Sequence, residues 1–141
     1  MSIDHDAATA FLAERTQGIL IALRKNGHPQ PSNIAYALID GELWISVTET
    51  RAKTHNLRRD PRCAVHVTSD DFWRYVVVEA EAQLSATAAA PDDEVCDMLV
   101  RYFQAVAGDH DDWDEYRRAM VADRRLIVRI PLTHVYGQLP G

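Results

Sequence analysis

The chain has 141 residues, of which 47% are hydrophobic and 26% charged, and its formal net charge at pH 7 is −6. This size and composition are typical of one globular domain, residues 1–141, with enough apolar side chains for a single core. The net acidity argues against a general nucleic-acid-binding protein, and no apolar run is long enough to span a membrane.

The first half of the chain predicts a helix followed by an antiparallel meander. Asp6 is expected to cap a helix that ends at about Arg15. Three strands are then predicted, at residues 18–25, 32–39 and 42–48. They are joined by Asn26-Gly27 and Asp40-Gly41, which are typical of tight hairpin turns. Two such turns in succession favour antiparallel pairing over a parallel arrangement.

The second half of the chain predicts fewer turns and longer elements. A short helix is expected to end near Asp60-Pro61, because proline disfavours helix in the residue before it. Further strands are predicted at 62–68, 74–84 and 126–130, with helices at 92–106 and 113–122 and an extended tail at 133–136. Six antiparallel strands with few helices favour a mainly β (α+β) fold, a closed split barrel, since closure removes exposed sheet edges. A two-sheet sandwich is the alternative.

Common catalytic motifs are missing from the sequence. It has no GxGxxG or Walker loop, no serine in a nucleophile elbow, and no Cys–His pair with zinc spacing, so no catalytic residue or metal ligand is predicted. The acidic run 109–115 is interpreted as an exposed helix start rather than a cation site. An enzyme of this kind is expected to take its chemistry from a cofactor.

Two features bear on the cellular compartment. Cys63 and Cys96 are far apart, and Cys63 lies in an apolar strand pattern, so we expect inert buried thiols and no disulfide. The polar, acidic residues 2–6 are unlike a secretory signal. We therefore expect a cytoplasmic protein.

A basic segment in an acidic chain is the most informative feature. Five of the fifteen Lys and Arg residues lie between positions 51 and 62: Arg51, Lys53, Arg58, Arg59 and Arg62. The segment follows a predicted strand and begins a predicted helix, whose first N–H groups can bind an anion together with Arg51 and Lys53. We interpret this corner as a site for the phosphate of a flavin-like cofactor. The last three arginines are expected to face solvent or to pair with acids such as Asp60.

Four stretches of the sequence carry a resemblance to a known family. They are Gln-Pro-Ser-Asn at 30–33, the basic residues 51–61, Trp-Arg-Tyr at 73–75 and the tail 123–137. Together they resemble the flavin and deazaflavin oxidoreductases of the pyridoxamine 5′-phosphate oxidase-like superfamily, and more narrowly its actinobacterial group that binds coenzyme F420. This resemblance implies a homodimeric split β-barrel with cofactor sites at the subunit interface. It also implies hydride transfer from reduced F420, a deazaflavin, to a conjugated acceptor such as a quinone, an enone or a tetrapyrrole.

The resemblance further implies which residues hold the cofactor tail. Arg51 and Lys53 match positions that bind its phosphate, and Thr54 and Asn56 lie beside them at the helix start. Arg125, with Arg124 next to it, matches a cation near the far end of the tail. Trp73 and Tyr75 match residues that approach the tail from the partner subunit.

Six further residues match the strands that flank the cofactor ring or face its edge: Ser46, Val47, Thr48, Gln30, Ser32 and Asn33. The chain departs from the family pattern at two positions. Pro31 removes a backbone donor beside Gln30, and His55 stands where related chains often have arginine. Both changes affect contacts at the ring edge more than the phosphate site.

Two other functions fit the same residues. An FMN-dependent oxidase or reductase of the pyridoxamine phosphate oxidase type would use the same phosphate site. A protein that only binds or stores F420 would also lack acid and base motifs, because hydride transfer requires little beyond orientation.

Overall fold

The computed structural model describes residues 3–140, which form four helices and nine strands. In chain order the elements are α1 (His5–Ala13), β1 (Gln17–Leu23), β2 (Pro29–Ala35), β3 (Ala37–Ile39), β4 (Glu42–Thr48), α2 (Ala52–Arg59), β5 (Arg62–Thr68), β6 (Tyr75–Glu81), β7 (Gln83–Leu84), α3 (Glu94–Ala107), α4 (Trp113–Ala122), β8 (Arg125–Pro131) and β9 (His134–Gln138). The strands form a five-stranded sheet, β2-β1-β5-β6-β9, and a four-stranded sheet, β3-β4-β8-β7. Every pairing within the two sheets is antiparallel, as predicted.

The predicted strand 32–39 is in fact two strands in different sheets. The chain changes sheet at Tyr36, because β2 pairs with β1 and β3 pairs with β4. The buried Tyr36 fixes this corner: its hydroxyl donates to the carbonyl of Leu12 at 2.8 Å and its N–H to that of Thr16 at 2.7 Å. The expected three-strand meander is therefore two separate hairpins.

The predicted strand 74–84 divides in the same way. β6 belongs to the five-stranded sheet and β7 to the four-stranded sheet, with Ala82 between them. The Ala82 N–H donates to the Pro61 carbonyl at 2.8 Å. The prediction of six strands is wrong because an unbroken apolar pattern does not reveal where a strand leaves one sheet for another, whereas the prediction of a mainly β, α+β fold is confirmed.

The helix boundaries follow from their caps. Asp4, rather than the predicted Asp6, caps α1 by accepting from the Ala7 N–H at 3.0 Å. Asp93 caps α3 through the Cys96 N–H at 2.8 Å. The acidic run before α4 supplies its cap, Asp112, in agreement with the predicted helix start. Within residues 3–140, no helix is both long and apolar enough to cross a membrane.

The side chains of β4 divide between two apolar clusters. Leu43, Ile45 and Val47 pack in the core between the two sheets, whereas Trp44 packs on the opposite face with residues of α3 and α4. Alternation along the strand places Ser46 and Thr48 on the same face as Trp44. The two helices therefore cover part of this outer face of the four-stranded sheet. The end of β4 lies at the edge of the covered part.

The outer face of the five-stranded sheet is more exposed. One row across it consists of Asn33, Ile19, His66, Val77 and Tyr136 on successive strands. Ile19 is 38% exposed. Beyond this row, the β5–β6 turn carries the aromatic side chains of Phe72 and Trp73, which are 67% and 73% exposed.

Both cysteines are buried with free thiols, as predicted. Burial raises the pKa of Cys63 and of Cys96 to about 11. Their thiolate fraction at neutral pH is therefore very small, which agrees with inert structural thiols.

Candidate cofactor-binding site

A cleft of about 270 Å³ opens where β2, β4 and β8 meet the start of α2 and the side of α3. Seven of the residues predicted to contact a cofactor line it: Asn33, Ser46, Val47, Thr48, Arg51, Lys53 and Arg125. We call it the cation cleft. Residues from four separate parts of the sequence thus meet at one place.

Three basic side chains converge on the cation cleft. Arg51 precedes α2 and Lys53 lies in its first turn. Arg125 joins them because it pairs with Thr48 across β4 and β8. Burial, followed by the charges of Arg51 and Arg125, lowers the pKa of Lys53 below its ordinary value. Both causes disfavour the charged form of Lys53, and a bound anion would favour it.

Carboxylates do not neutralise the first two of these cations. Within residues 3–140, the ion pairs shorter than 4 Å include neither Arg51 nor Lys53. Arg125 has one weak partner, Asp123, at 3.8 Å. Its guanidinium also donates to the Ser46 hydroxyl at 3.2 Å. The positive charge at this corner is thus largely available to a ligand.

The start of α2 adds backbone donors to the same corner. Arg51 is the N-cap residue, and its side chain makes no capping hydrogen bond. The N–H groups at a helix N-terminus are directed away from the helix and carry its positive dipole. An uncapped helix start beside Arg51 and Lys53 is a suitable site for a phosphate.

Three predicted contact residues instead hold α2 against the sheet. The fully buried Thr54 donates its hydroxyl to the Thr48 carbonyl at 2.7 Å. Asn56 donates its amide to Gln30 Oε1 at 2.7 Å and accepts from Arg59 at the same distance. These side chains position the helix, and none of them lines the cation cleft.

The remaining predicted residues lie elsewhere. The side chain of Ser32 lies on the same side of β2 as that of Ile34, which packs in the core. Within the described chain, the buried Ser32 hydroxyl has no hydrogen-bond partner. Arg124 lies at the turn before β8, where its carbonyl accepts from the Glu49 N–H at 2.9 Å. Neither lines the cation cleft.

Trp73 and Tyr75 line a different groove, of about 260 Å³, on the outer face of the five-stranded sheet. Tyr75 stacks on His66 with a ring separation of 5.2 Å and an interplanar angle of 14°. Within one protomer these residues are not part of the cation cleft. Their approach to a cofactor tail requires a second subunit and stays a prediction.

Tyr102 lines the cation cleft although it was not predicted from the sequence. Its hydroxyl donates to the Ala35 carbonyl at 2.8 Å and so joins α3 to the end of β2. Burial raises its pKa. The periodicity of α3 could have indicated it, because Val95 and Leu99 are buried and Tyr102 follows on the same helical face.

Comparison with known sequences identifies the family. Residues 4–138 match the family model of pyridoxamine 5′-phosphate oxidase. The chain belongs to this family. The resemblance inferred from the four sequence stretches is thereby confirmed at the level of the pyridoxamine 5′-phosphate oxidase family.

Solved structures with the same fold span several cofactor classes. A conserved hypothetical protein from Mycobacterium tuberculosis is 23% identical, with a TM-score of 0.75, and the match covers all of this chain and 91% of that one. An F420 reductase is 24% identical, with a TM-score of 0.68 and coverage of 91% and 95%. An FAD-binding protein from Mesorhizobium loti is 18% identical, with a TM-score of 0.69 and coverage of 97% and 93%. These likenesses show the fold that the chain shares with the three proteins.

Proposed function

We propose that this protein is an F420H2-dependent reductase that transfers hydride to a conjugated small-molecule acceptor of the quinone, enone or tetrapyrrole type. The observation that carries the proposal is the convergence of Arg51, Lys53 and Arg125 at the uncapped start of α2. Such a cluster binds a phosphate and repels other cations. The phosphate arm of a deazaflavin fits this chemistry.

The residues of the cation cleft have separate tasks in this proposal. Arg51, Lys53 and the first N–H groups of α2 hold the phosphate, and Arg125 holds the adjoining part of the tail. Ser46 and Thr48 lie on the outer face of β4, where the ring end of the cofactor is expected. When bound, the reduced cofactor supplies the hydride, and the protein contributes orientation and charge.

The cleft itself offers little acid–base chemistry. Its titratable lining residues, within the described part of the chain, are the three cations and Tyr102. Burial raises the pKa of Tyr102, so its phenol stays protonated at neutral pH. This composition supports a role in positioning a redox cofactor rather than in general acid or base catalysis.

A second copy of the chain is the proposed partner, on the outer face of the five-stranded sheet. Ile19, Phe72 and Trp73 are exposed there, whereas α3 and α4 cover the other sheet. Asn33 belongs both to this face and to the cation cleft. A partner subunit on this face would therefore border the cofactor site, and Trp73 could then approach the cofactor tail.

Cofactor choice is tested by titrating the purified protein with F420 and with FMN while following the fluorescence of its three tryptophans. We expect saturable quenching by F420 at lower concentration than by FMN. Tight binding of FMN without a response to F420 would overturn the deazaflavin assignment and favour the FMN-dependent alternative.

Turnover is tested separately by mixing the protein with reduced F420 and a panel of quinones, enones and tetrapyrroles. Absorbance reports the oxidation of the cofactor. We expect oxidation that depends on both protein and acceptor. Tight F420 binding with no oxidation across the panel would favour a storage protein.

The dimer is tested by sedimentation equilibrium. We expect a species of twice the 15.9 kDa mass of one chain, and a monomer after the double change Phe72→Ser and Trp73→Ser. A wild-type protein that sediments as a monomer at micromolar concentration would contradict the proposed interface.

A further inference from the structure

We infer that Glu49 is a positioning residue for the cation cleft: Thr87 and Arg58 hold its carboxylate away from Arg51, and the positive charge of the cleft is thereby left to an anion. The inference rests on the proposed function, since it concerns how the same cleft stays free for its ligand. Neither Glu49 nor Thr87 lines the cleft.

Glu49 is the acidic residue nearest in sequence to the cations at the start of α2. It lies in the turn that joins β4 to α2, shortly before Arg51 and Lys53. A carboxylate at this distance along the chain can pair with either cation, because opposite charges a few ångströms apart attract even near a protein surface. Within residues 3–140, however, the ion pairs include neither Arg51 nor Lys53.

The carboxylate of Glu49 is instead bound by two other side chains. Its Oε2 atom accepts a hydrogen bond from the Thr87 hydroxyl and another from the Arg58 guanidinium at 2.8 Å. These bonds lower the pKa of Glu49, with the Thr87 bond as the largest cause. The Arg58 side chain is 41% exposed, so this ion pair is the weaker restraint. The carboxylate is therefore ionised at neutral pH, and Thr87 is the main group that fixes its direction.

Thr87 is itself fixed by β8. It lies in the segment between β7 and α3, where the N–H of the next residue, Ala88, donates to the Arg125 carbonyl at 2.8 Å. The segment therefore runs beside the start of β8. The strand that supplies Arg125 to the cleft thus also positions the hydroxyl that holds Glu49.

The backbone of Glu49 joins the two parts of the chain that supply the cations. Its N–H donates to the Arg124 carbonyl at 2.9 Å. Arg124 directly precedes Arg125 and has a φ of 54°, in the left-handed region that favours glycine. The hydrogen bond from Glu49 helps to hold this turn. One residue thus links the turn before Arg51 to the turn before Arg125.

Loss of the Thr87 hydroxyl should release the carboxylate toward the cleft. The exposed pair with Arg58 is then its remaining side-chain restraint, and such pairs are weak. The charged form of Lys53 is disfavoured by burial and by its neighbouring cations, so an anion beside it is favoured. A freed Glu49 carboxylate can take that place and compete with the ligand.

The experiment measures binding of inorganic phosphate to the full chain by calorimetry. Thr87→Val removes the hydroxyl from a side chain of similar shape, and Thr87→Ser keeps it. Glu49→Gln removes the negative charge and is made alone and together with Thr87→Val. Thr9→Val is the matched control, since it removes a hydroxyl on α1 that donates to the His5 carbonyl at 2.9 Å. Thermal melts establish that each variant is folded.

We expect Thr87→Val to weaken phosphate binding about three- to fivefold, the upper range for one partly exposed ion pair that competes with a ligand. Thr87→Ser and Thr9→Val should bind phosphate as the wild-type protein does. Glu49→Gln should bind it at least as tightly as the wild-type protein, and adding this change to Thr87→Val should restore the lost affinity. A merely structural role predicts the opposite, because two damaging changes would then add.

Three results would overturn the inference and leave the proposed function standing. They are unchanged phosphate binding in Thr87→Val, an equal loss in Thr9→Val, and a double variant that binds no better than Thr87→Val. If the wild-type protein binds no phosphate, or if Arg51→Ala with Lys53→Ala leaves its binding unaffected, the proposed function fails and the inference fails with it.

Discussion

The two ends of α2 carry similar charges in very different surroundings. At its start, Arg51 and Lys53 lack a carboxylate within 4 Å among the described residues, and Lys53 has a lowered pKa. At and beyond its end, Arg58 pairs with Glu49 and Arg62 with Asp60, each at 2.8 Å. One basic segment thus contains two classes of cation, which net charge alone does not separate.

Pairing with a carboxylate distinguishes the two classes of cation in this segment. A paired surface cation is already satisfied and contributes little to a ligand. Clustered cations without a counterion raise the energy of the ligand-free protein, and an anion relieves that cost on binding. We therefore expect function to reside at the start of α2 and local structure at its end.

The greatest loss of F420 affinity is expected in one of two double variants that have the same net charge. Arg51→Ala with Lys53→Ala should weaken F420 binding about 100-fold or more, because two charge-assisted hydrogen bonds to phosphate are lost. Arg58→Ala with Arg62→Ala should weaken it less than about threefold, through long-range charge alone. Fluorescence titration at physiological salt measures both. Equal losses in the two variants would mean that only overall charge attracts the ligand.

Among the polar residues that line the cation cleft, Tyr102 is the one within the described chain that the sequence analysis did not predict. Arg51 and Lys53 are two residues apart in a strand-to-helix corner, so the local pattern was sufficient to predict them. Arg125 was reached only through the family resemblance, and its place is set by the pairing of β4 with β8. The periodicity of α3 could have placed Tyr102 on the buried face of the helix, but its contact with β2 is long-range and no local pattern encodes it.

The fold shows the same division between local and long-range information. Hairpin turns and helix ends were predicted to within a few residues because Gly, Asn, Asp and Pro act locally. The corners at Tyr36 and Ala82 were missed, since a strand that changes sheet keeps its apolar alternation. Asn56 and Gln30 were assigned to the cofactor although they bond to one another, because polar residues near a site serve either purpose.

Asn56 therefore provides a second test, which asks whether this residue stabilises the fold or contacts the cofactor directly. Its 2.7 Å bond to Gln30 joins α2 to β2, its 2.7 Å bond to Arg59 lies within α2, and the residue is buried. Asn56→Ala should lower the free energy of unfolding by about 2 kcal/mol, because it leaves the Gln30 and Arg59 groups without their partner. Denaturant unfolding measures this. Unchanged stability combined with a large loss of F420 affinity would instead support the predicted direct contact.

The affinity for an anion should depend on pH through Lys53. The pKa of Lys53 is lowered from its ordinary 10.5 in the ligand-free protein, and an anion favours the charged ammonium. Binding therefore takes up a proton once the pH exceeds this lowered value, so affinity should fall with rising pH below pH 10.5. Titration of a phosphate monoester above about pH 8, where the phosphate is fully ionised, measures the decline. Lys53→Arg should flatten it, and a decline unchanged in Lys53→Arg would assign the titration to another group.

The last prediction concerns the stability of the ligand-free protein. Removing a charge at the start of α2 should raise this stability, whereas removing a charge near its end should lower it. Because the folded state lowers the pKa of Lys53, the unfolded chain binds its proton more strongly, and the charged lysine destabilises the fold at neutral pH. Lys53→Met should therefore raise the melting temperature. Arg58→Met removes the 2.8 Å pair with Glu49 and should lower the free energy of unfolding by about 0.5 kcal/mol.

Adding phosphate should make the wild-type protein more stable than the Lys53→Met variant, since the wild-type protein then gains binding energy that the variant lacks. If both variants lower stability without phosphate, the start of α2 is satisfied within the protein itself and needs no anion.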